Sequence, residues 1–262
     1  MRSLVPAYLS RFPRIVTHAA AWTLCIVFVT SPAAADQIAS RKSIGLGLIG
    51  PNPTVGIFGA LEVAIGKPED VRQWDDFKRR YEGEQSILED CIASSAKCPS
   101  DRARKWSDFI AGEKGKERQA QIEAVNHFVN GIARHDSDAN VFGIRDYWAT
   151  PLEFLERTGD CEDFTILKFV SLLHLGFANE EMRIVIALDR TRNIGHAVLA
   201  VREGKDEEIL DTSYEAIWPA SLIADYAPEY SLNLTTRWAH FPAADSAAQL
   251  LAQSQQQHQP AN

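Results

Sequence analysis

"DCEDFTILKFVSLLHLG", residues 160–176, is the stretch on which the reading of the fold turns. Its apolar residues (Phe164, Ile166, Leu167, Phe169, Val170, Leu172 and Leu173) fall on several sides of a helix. A helix that is apolar nearly all round belongs in the middle of a domain, covered on more than one face. Gly176 supplies a natural C-terminal stop. The first turn is different in kind, because Cys161 sits there between Asp160 and Glu162, followed by Asp163. A helix N-terminus lowers the pKa of a thiol, whereas acidic neighbours raise it. The carboxylates therefore need a use of their own.

Downstream, the pattern turns to β-rich runs: "MRIVIAL" (182–188), "HAVLAVRE" (196–203) and "EEILDTSY" (207–214). "EGKDE" between the last two reads as a hairpin turn, so those strands are expected to be antiparallel neighbours. If the hairpin closes around Gly204 and Lys205, position 198 faces position 211, and His196 lies on the same face. His196 and Asp211 are then diagonal neighbours, roughly 7–8 Å apart at the backbone and within side-chain reach. Cysteine chemistry needs a thiolate, an imidazole that shares its proton and usually a third group that orients the ring. Cys161 at a helix tip, His196 on one strand and Asp211 on the next supply those three parts.

Upstream, helical spacing runs through Val71, Trp74, Phe77 and Tyr81, breaks at "CIASSAKCPSD", and resumes with Ser100 or Asp101 as N-cap. Trp106, Phe109 and Ile110 mark a short amphipathic helix, and Ile122, Val125, Val129 and Ile132 mark another. The fold class is α+β: helices first, then a buried helix on an antiparallel sheet. The expected organisation is a secretory signal peptide at 1–35, an irregular Gly- and Pro-rich arm at 36–66, one domain at 67–242 and a disordered Gln-rich tail at 243–262. The leader reading rests on three arginines, the apolar run "IVTHAAAWTLCIVFVT" and a small-x-small site in "SPAAAD", an uncleaved membrane anchor being the alternative.

The formal charge of −8 becomes more negative once a leader with three arginines and no acid is removed. That excludes nucleic acid as a partner, since phosphate binding needs a basic surface. It suits a soluble protein able to hold a divalent cation. In a periplasmic or secreted setting, Cys91 and Cys98 close a small loop as a disulfide, two buried free thiols being the alternative. Cys161 is then the odd cysteine of the processed chain.

"DYWATPLEFLERTGDCEDFTILK", "GHAVLAV" and "ILDTSYEAIWP" together resemble the bacterial transglutaminase-like cysteine peptidases, the group that includes the LapG-like periplasmic proteases that release biofilm adhesins. The resemblance spans roughly residues 85–241. It departs from the pattern in the "LDRTRNIGH" lead-in to the histidine and at Phe164, where tyrosine is often found. It implies a papain-like fold in its transglutaminase-type arrangement, with Cys161 as nucleophile, His196 as general base and Asp211 as orienting acid. It also implies Ca²⁺ bound by Asp160 and Glu162, and an aromatic, Trp148, before the nucleophile helix that could line the substrate cleft, a core tryptophan being the equal alternative. A purely structural use of the same acids, as N-cap and dipole complement, is the alternative. The implied partners are a protein substrate such as a surface adhesin, and an inner-membrane regulatory protein. Acyl transfer by a transglutaminase or amidase with the same triad, and a non-catalytic calcium-responsive binding module, are the competing functions.

Overall fold

The computed structural model describes residues 54–243. The expected leader, the start of the arm and almost all of the tail lie outside the described residues. Among the described residues six α-helices precede most of the sheet: α1 (Arg72–Ala93), α2 (Asp101–Glu113), α3 (Arg118–Ile132), α4 (Asp138–Val141), α5 (Pro151–Glu156) and α6 (Cys161–Leu175). The strands are β1 (Thr54–Val55), β2 (Leu61–Gly66), β3 (Met182–Asp189), β4 (Ile194–Glu203), β5 (Asp206–Leu210), β6 (Trp218–Pro219), β7 (Tyr226–Leu232) and β8 (Arg237–Phe241). They form one sheet in the order β1-β2-β8-β7-β3-β4-β5-β6, and every neighbouring pair is antiparallel.

α6 is the buried centre that its sequence requires. Every residue from Cys161 to Leu172 is buried, and the helix ends on Gly176 at φ +97°, a left-handed position that glycine adopts without strain. One face of the sheet carries Ile184, Ile186, Ala197, Leu199, Val201 and Leu210 into a single core with α6 and the aromatic residues of the N-terminal helices, among them Trp74, Phe77 and Trp106. The alternate residues Val185, Ala187, Val198, Ala200 and Ile209 form a smaller cluster with Ile57 and Tyr226. This two-fold alternation is what a sheet covered on both faces produces. Full burial of each large apolar side chain contributes about 1.5–3 kcal/mol, so the helical side holds most of the stability. Ser100 caps α2 by accepting from the Ala103 N–H at 3.1 Å. Cys91 and Cys98 are joined as a disulfide across the turn between α1 and α2. No helix among the described residues is long and apolar enough to cross a membrane.

Three features differ from the sequence expectations. Residues 54–66 are not an irregular arm, because β2 pairs with β8 over Leu61↔Phe241 to Gly66↔Arg237 and extends the sheet, so the folded unit begins before residue 67. β7 and β8 carry no strict alternation and are not among the expected strands; they pair with each other as a hairpin that closes at Leu232↔Arg237. The third hairpin strand ends at Leu210 rather than continuing to residue 214, which puts Asp211 just beyond β5.

Candidate active site

Cys161 is the first residue of α6, and a close approach fixes the turn that presents it. A Cβ on Gly159 would collide with the Asp163 carboxylate, so only glycine allows Asp163 to fold back over the turn. Asp163 uses that position fully. Its Oδ1 accepts from the Ala149 N–H at 2.6 Å, and its Oδ2 accepts from the Asp160 N–H at 3.2 Å. Thr165, one turn into the helix, donates from Oγ1 to the Cys161 carbonyl at 2.7 Å and lies 3.1 Å from the Ala197 carbonyl. One hydroxyl thus ties the cysteine turn to the β4 residue that follows His196.

The hairpin has the expected register. The β4–β5 ladder runs from Glu203↔Asp206 at the turn to Leu199↔Leu210, and its next step brings Val198 opposite Asp211. His196 and Asp211 meet on that face. The His196 Nε2 lies 2.8 Å from Asp211 Oδ1, and both side chains are 3 % exposed. Asp211 Oδ1 also accepts from the Ser213 N–H at 2.7 Å, and Oδ2 accepts from the Tyr226 hydroxyl at 2.6 Å. Burial alone would raise the Asp211 pKa. The His196 charge and hydrogen bond, then those of Tyr226 and Ser213, outweigh it and hold the carboxyl well below its usual range. Since Asp211 takes Nε2, the other ring nitrogen, Nδ1, is left buried without a hydrogen-bond partner. No hydrogen bond joins the His196 ring to the Cys161 sulfur.

Around the same turn lies a cluster of buried acids. Asp160, Cys161 and Glu162 place one ligand atom each within 4.8 Å of one another, and so do Asp138, Asp160 and Asp163. Glu162 Oε2 is 3.0 Å from the Cys161 sulfur. Burial pushes Asp138 up to about 6 and Glu162 up to about 7, and it raises Asp160 and Asp163 well above the ordinary carboxylate value. The largest charge effects on these four come from one another and from Asp146, all negative. Asp138 Oδ1 and Asp160 Oδ1 are buried with no hydrogen-bond partner. Carboxylate oxygens left unsatisfied in a buried cluster of like charge fit a hard divalent cation, which takes oxygen ligands and supplies positive charge. Sequence reading singled out Asp160 and Glu162 and missed Asp138 and Asp146, which lie in polar loops ("HDSDAN", "RDYW") with no spacing that ties them to residue 160.

Trp148 does not line an open cleft. It is 3 % exposed and packs edge-to-face on Trp74 at 6.0 Å, while its carbonyl accepts from Arg80 at 2.7 Å. A tryptophan in a loop has no periodicity to show which way it points, and here the core takes it.

Similarity to known proteins agrees with this geometry. The LapG of Legionella pneumophila in a calcium-bound structure is 32 % identical, with a TM-score of 0.52, over 58 % of this chain and 87 % of that one. An EGTA-treated structure of the same protein is 29 % identical, with a TM-score of 0.52, over 60 % and 91 %. No curated protein matches. Residues 70–242 match the family described as bacterial transglutaminase-like cysteine proteinase, and the chain is a cysteine peptidase belonging to it.

Proposed function

We propose that this peptidase is a calcium-dependent periplasmic endopeptidase that uses Cys161, His196 and Asp211 to cleave a cell-surface protein of the adhesin type. The observation that carries the reading is the buried 2.8 Å contact of His196 Nε2 with Asp211, which leaves Nδ1 as the nitrogen open for a proton. In the reduced chain the Cys161 thiol gives its proton to Nδ1. The thiolate then attacks the peptide carbonyl, and the oxyanion that forms is met by the backbone N–H of Cys161 at the first helical position. His196 returns the proton to the leaving amine, giving a thioester and a free amino terminus. Water, deprotonated by the same imidazole, then attacks the thioester and regenerates the thiol. Asp211 holds Nε2–H throughout, so that Nδ1 faces the reacting sulfur.

Asp160 and Glu162, with Asp138 and Asp146 as further candidates, would hold the calcium ion. Bound there, it would supply positive charge that offsets the acids beside Cys161 and favours the thiolate. The calcium-bound state of the Legionella protein supports this reading, as does the unsatisfied acid cluster. A periplasmic location is supported by the leader-like N-terminal sequence and by the Cys91–Cys98 disulfide. An adhesin substrate and an inner-membrane regulatory partner are carried over from the family resemblance. The test is cleavage of secreted surface proteins by the wild-type chain and by Cys161→Ala, with calcium and with chelator. Cleavage that disappears in both the variant and the chelated enzyme is the expected result. A Cys161→Ala variant that still cleaves would overturn the mechanism, and incorporation of a primary amine without net hydrolysis would replace hydrolysis with acyl transfer.

A further inference from the structure

We infer that Tyr226, on β7, is a positioning residue for the triad and acts through Asp211; the inference rests on the triad reading above. The strand pairing brings the residue there. β7 lies beside β3, and β3 beside β4, so Tyr226 pairs with Asp189 while His196 pairs with Ala187 two residues along the same strand. Tyr226 is 4 % exposed, its hydroxyl donates to Asp211 Oδ2 at 2.6 Å, and its ring meets the His196 ring edge-to-face at 5.6 Å. A single side chain therefore contacts both the orienting acid and the base.

The carboxylate of Asp211 shows why the contact matters. Its Oδ1 serves His196 and the Ser213 N–H, and its Oδ2 has the Tyr226 hydroxyl. A buried carboxylate that lost the last donor would keep an unsatisfied oxygen, and it would rotate or take up a proton to relieve it. Either response moves the acceptor away from Nε2–H, and Nδ1 is then no longer held toward the sulfur. Tyr226 remains a neutral donor, since burial and then the Asp211 charge raise its pKa far above the ordinary tyrosine value. Other ionisable groups that act here are Lys168 of α6 on Asp211, Asp189 of β3 and Tyr214 of the loop after Asp211 on Tyr226, and His135 on His196; Lys168 brings positive charge to the carboxylate. Lys168 Nζ is buried without a hydrogen-bond partner, so it does not stand in for the tyrosine hydroxyl.

Tyr226→Phe keeps the ring and its packing and removes only the donor. With a peptide substrate and the calcium-loaded chain, the expected result is a fall in kcat of about tenfold with KM within about twofold, the loss anticipated for one charge-assisted hydrogen bond. The acid limb of the kcat/KM profile should move to higher pH, because the imidazolium that pairs with the thiolate is held less well. In an Asp211→Asn background the same change should cost little more, since its route of action is already cut. A lowered melting temperature with an unmoved or downward-moved acid limb would overturn the inference, and so would full additivity with Asp211→Asn. These outcomes leave the triad itself standing. Cleavage retained by Cys161→Ala, measured alongside, overturns the triad reading and this inference together.

Discussion

Asp211 and Asp160 are both buried carboxylates of the proposed active site, and their surroundings are opposite. Asp211 is fully engaged by the chain: His196 and the Ser213 N–H on one oxygen, the Tyr226 hydroxyl on the other. Asp160 keeps one oxygen with no hydrogen-bond partner and faces Glu162, Asp138 and Asp146, all of its own sign. The pKa directions follow: Asp211 is held below the usual range, Asp160 well above it. The first arrangement is complete as the polypeptide folds it. The second requires protons or a cation before its acids can coexist, because like charges in a dry site cannot all ionise. The difference also resolves the puzzle of an acid-flanked nucleophile. Glu162, 3.0 Å from the Cys161 sulfur, suppresses a thiolate unless something neutralises it, so a calcium ion bound as proposed would be linked to the thiol.

The sharpest way to break this comparison is at Asp211. Asp211→Asn should lower kcat by about 10²–10⁴-fold with little change in calcium affinity, checked by steady-state kinetics and by calcium titration calorimetry. A similar loss of calcium affinity would mean that the two sites are one. Next in size, Asp160→Asn combined with Glu162→Gln should abolish the rise in melting temperature that calcium gives the wild type, while the calcium-free protein melts no lower than wild type, because two mutually repelling acids have gone. A third effect follows from the signs of the shifts. Glu162 and Asp138 have folded pKa values, about 7 and about 6, above those of the unfolded chain, so the folded state binds more protons and stability falls as pH rises through that window. Melting curves of the calcium-free chain should therefore move up as pH drops from about 7.5 to 5.5, and saturating calcium should flatten the trend. Asp211 works in the opposite sense: its folded pKa is depressed, so its contribution is complete near neutrality and is lost only in strong acid. The smallest effect belongs to a control remote in role from both sites. Replacing Cys91 and Cys98 with serine should cost about 2 kcal/mol of stability, the entropy of closing so short a loop, and leave kinetics and calcium response in place.

How much of this was legible in the sequence depends on how local each signal is. The hairpin around Gly204 and Lys205 set the β4–β5 register, and the 2.8 Å contact between His196 and Asp211 followed from it, because turn and strand alternation are short-range features. The all-round apolar pattern placed α6 in the core for the same reason. The pairing of β2 with β8 could not be found that way, since it joins strands separated by most of the chain. Tyr226 was hidden similarly, because its role depends on β7 lying beside β3, a matter of sheet order rather than of any motif. Asp138 is brought to Asp160 by the strand-like contact of His135 with Gly159, a single bridge with no sequence signature. Loop residues lack a period, so the direction of Trp148 was open until the packing of Trp74 and Arg80 fixed it.

The central claim is that the His196 imidazole takes the proton of Cys161, and the rate of alkylation of the reduced, calcium-loaded chain by iodoacetamide across pH 4–9 tests it most directly. The account predicts a reactive thiolate that persists well below pH 7 in the wild type, and a curve that moves up toward the ordinary thiol pKa of about 8.5 in His196→Ala. Superimposable curves for the two proteins would contradict it.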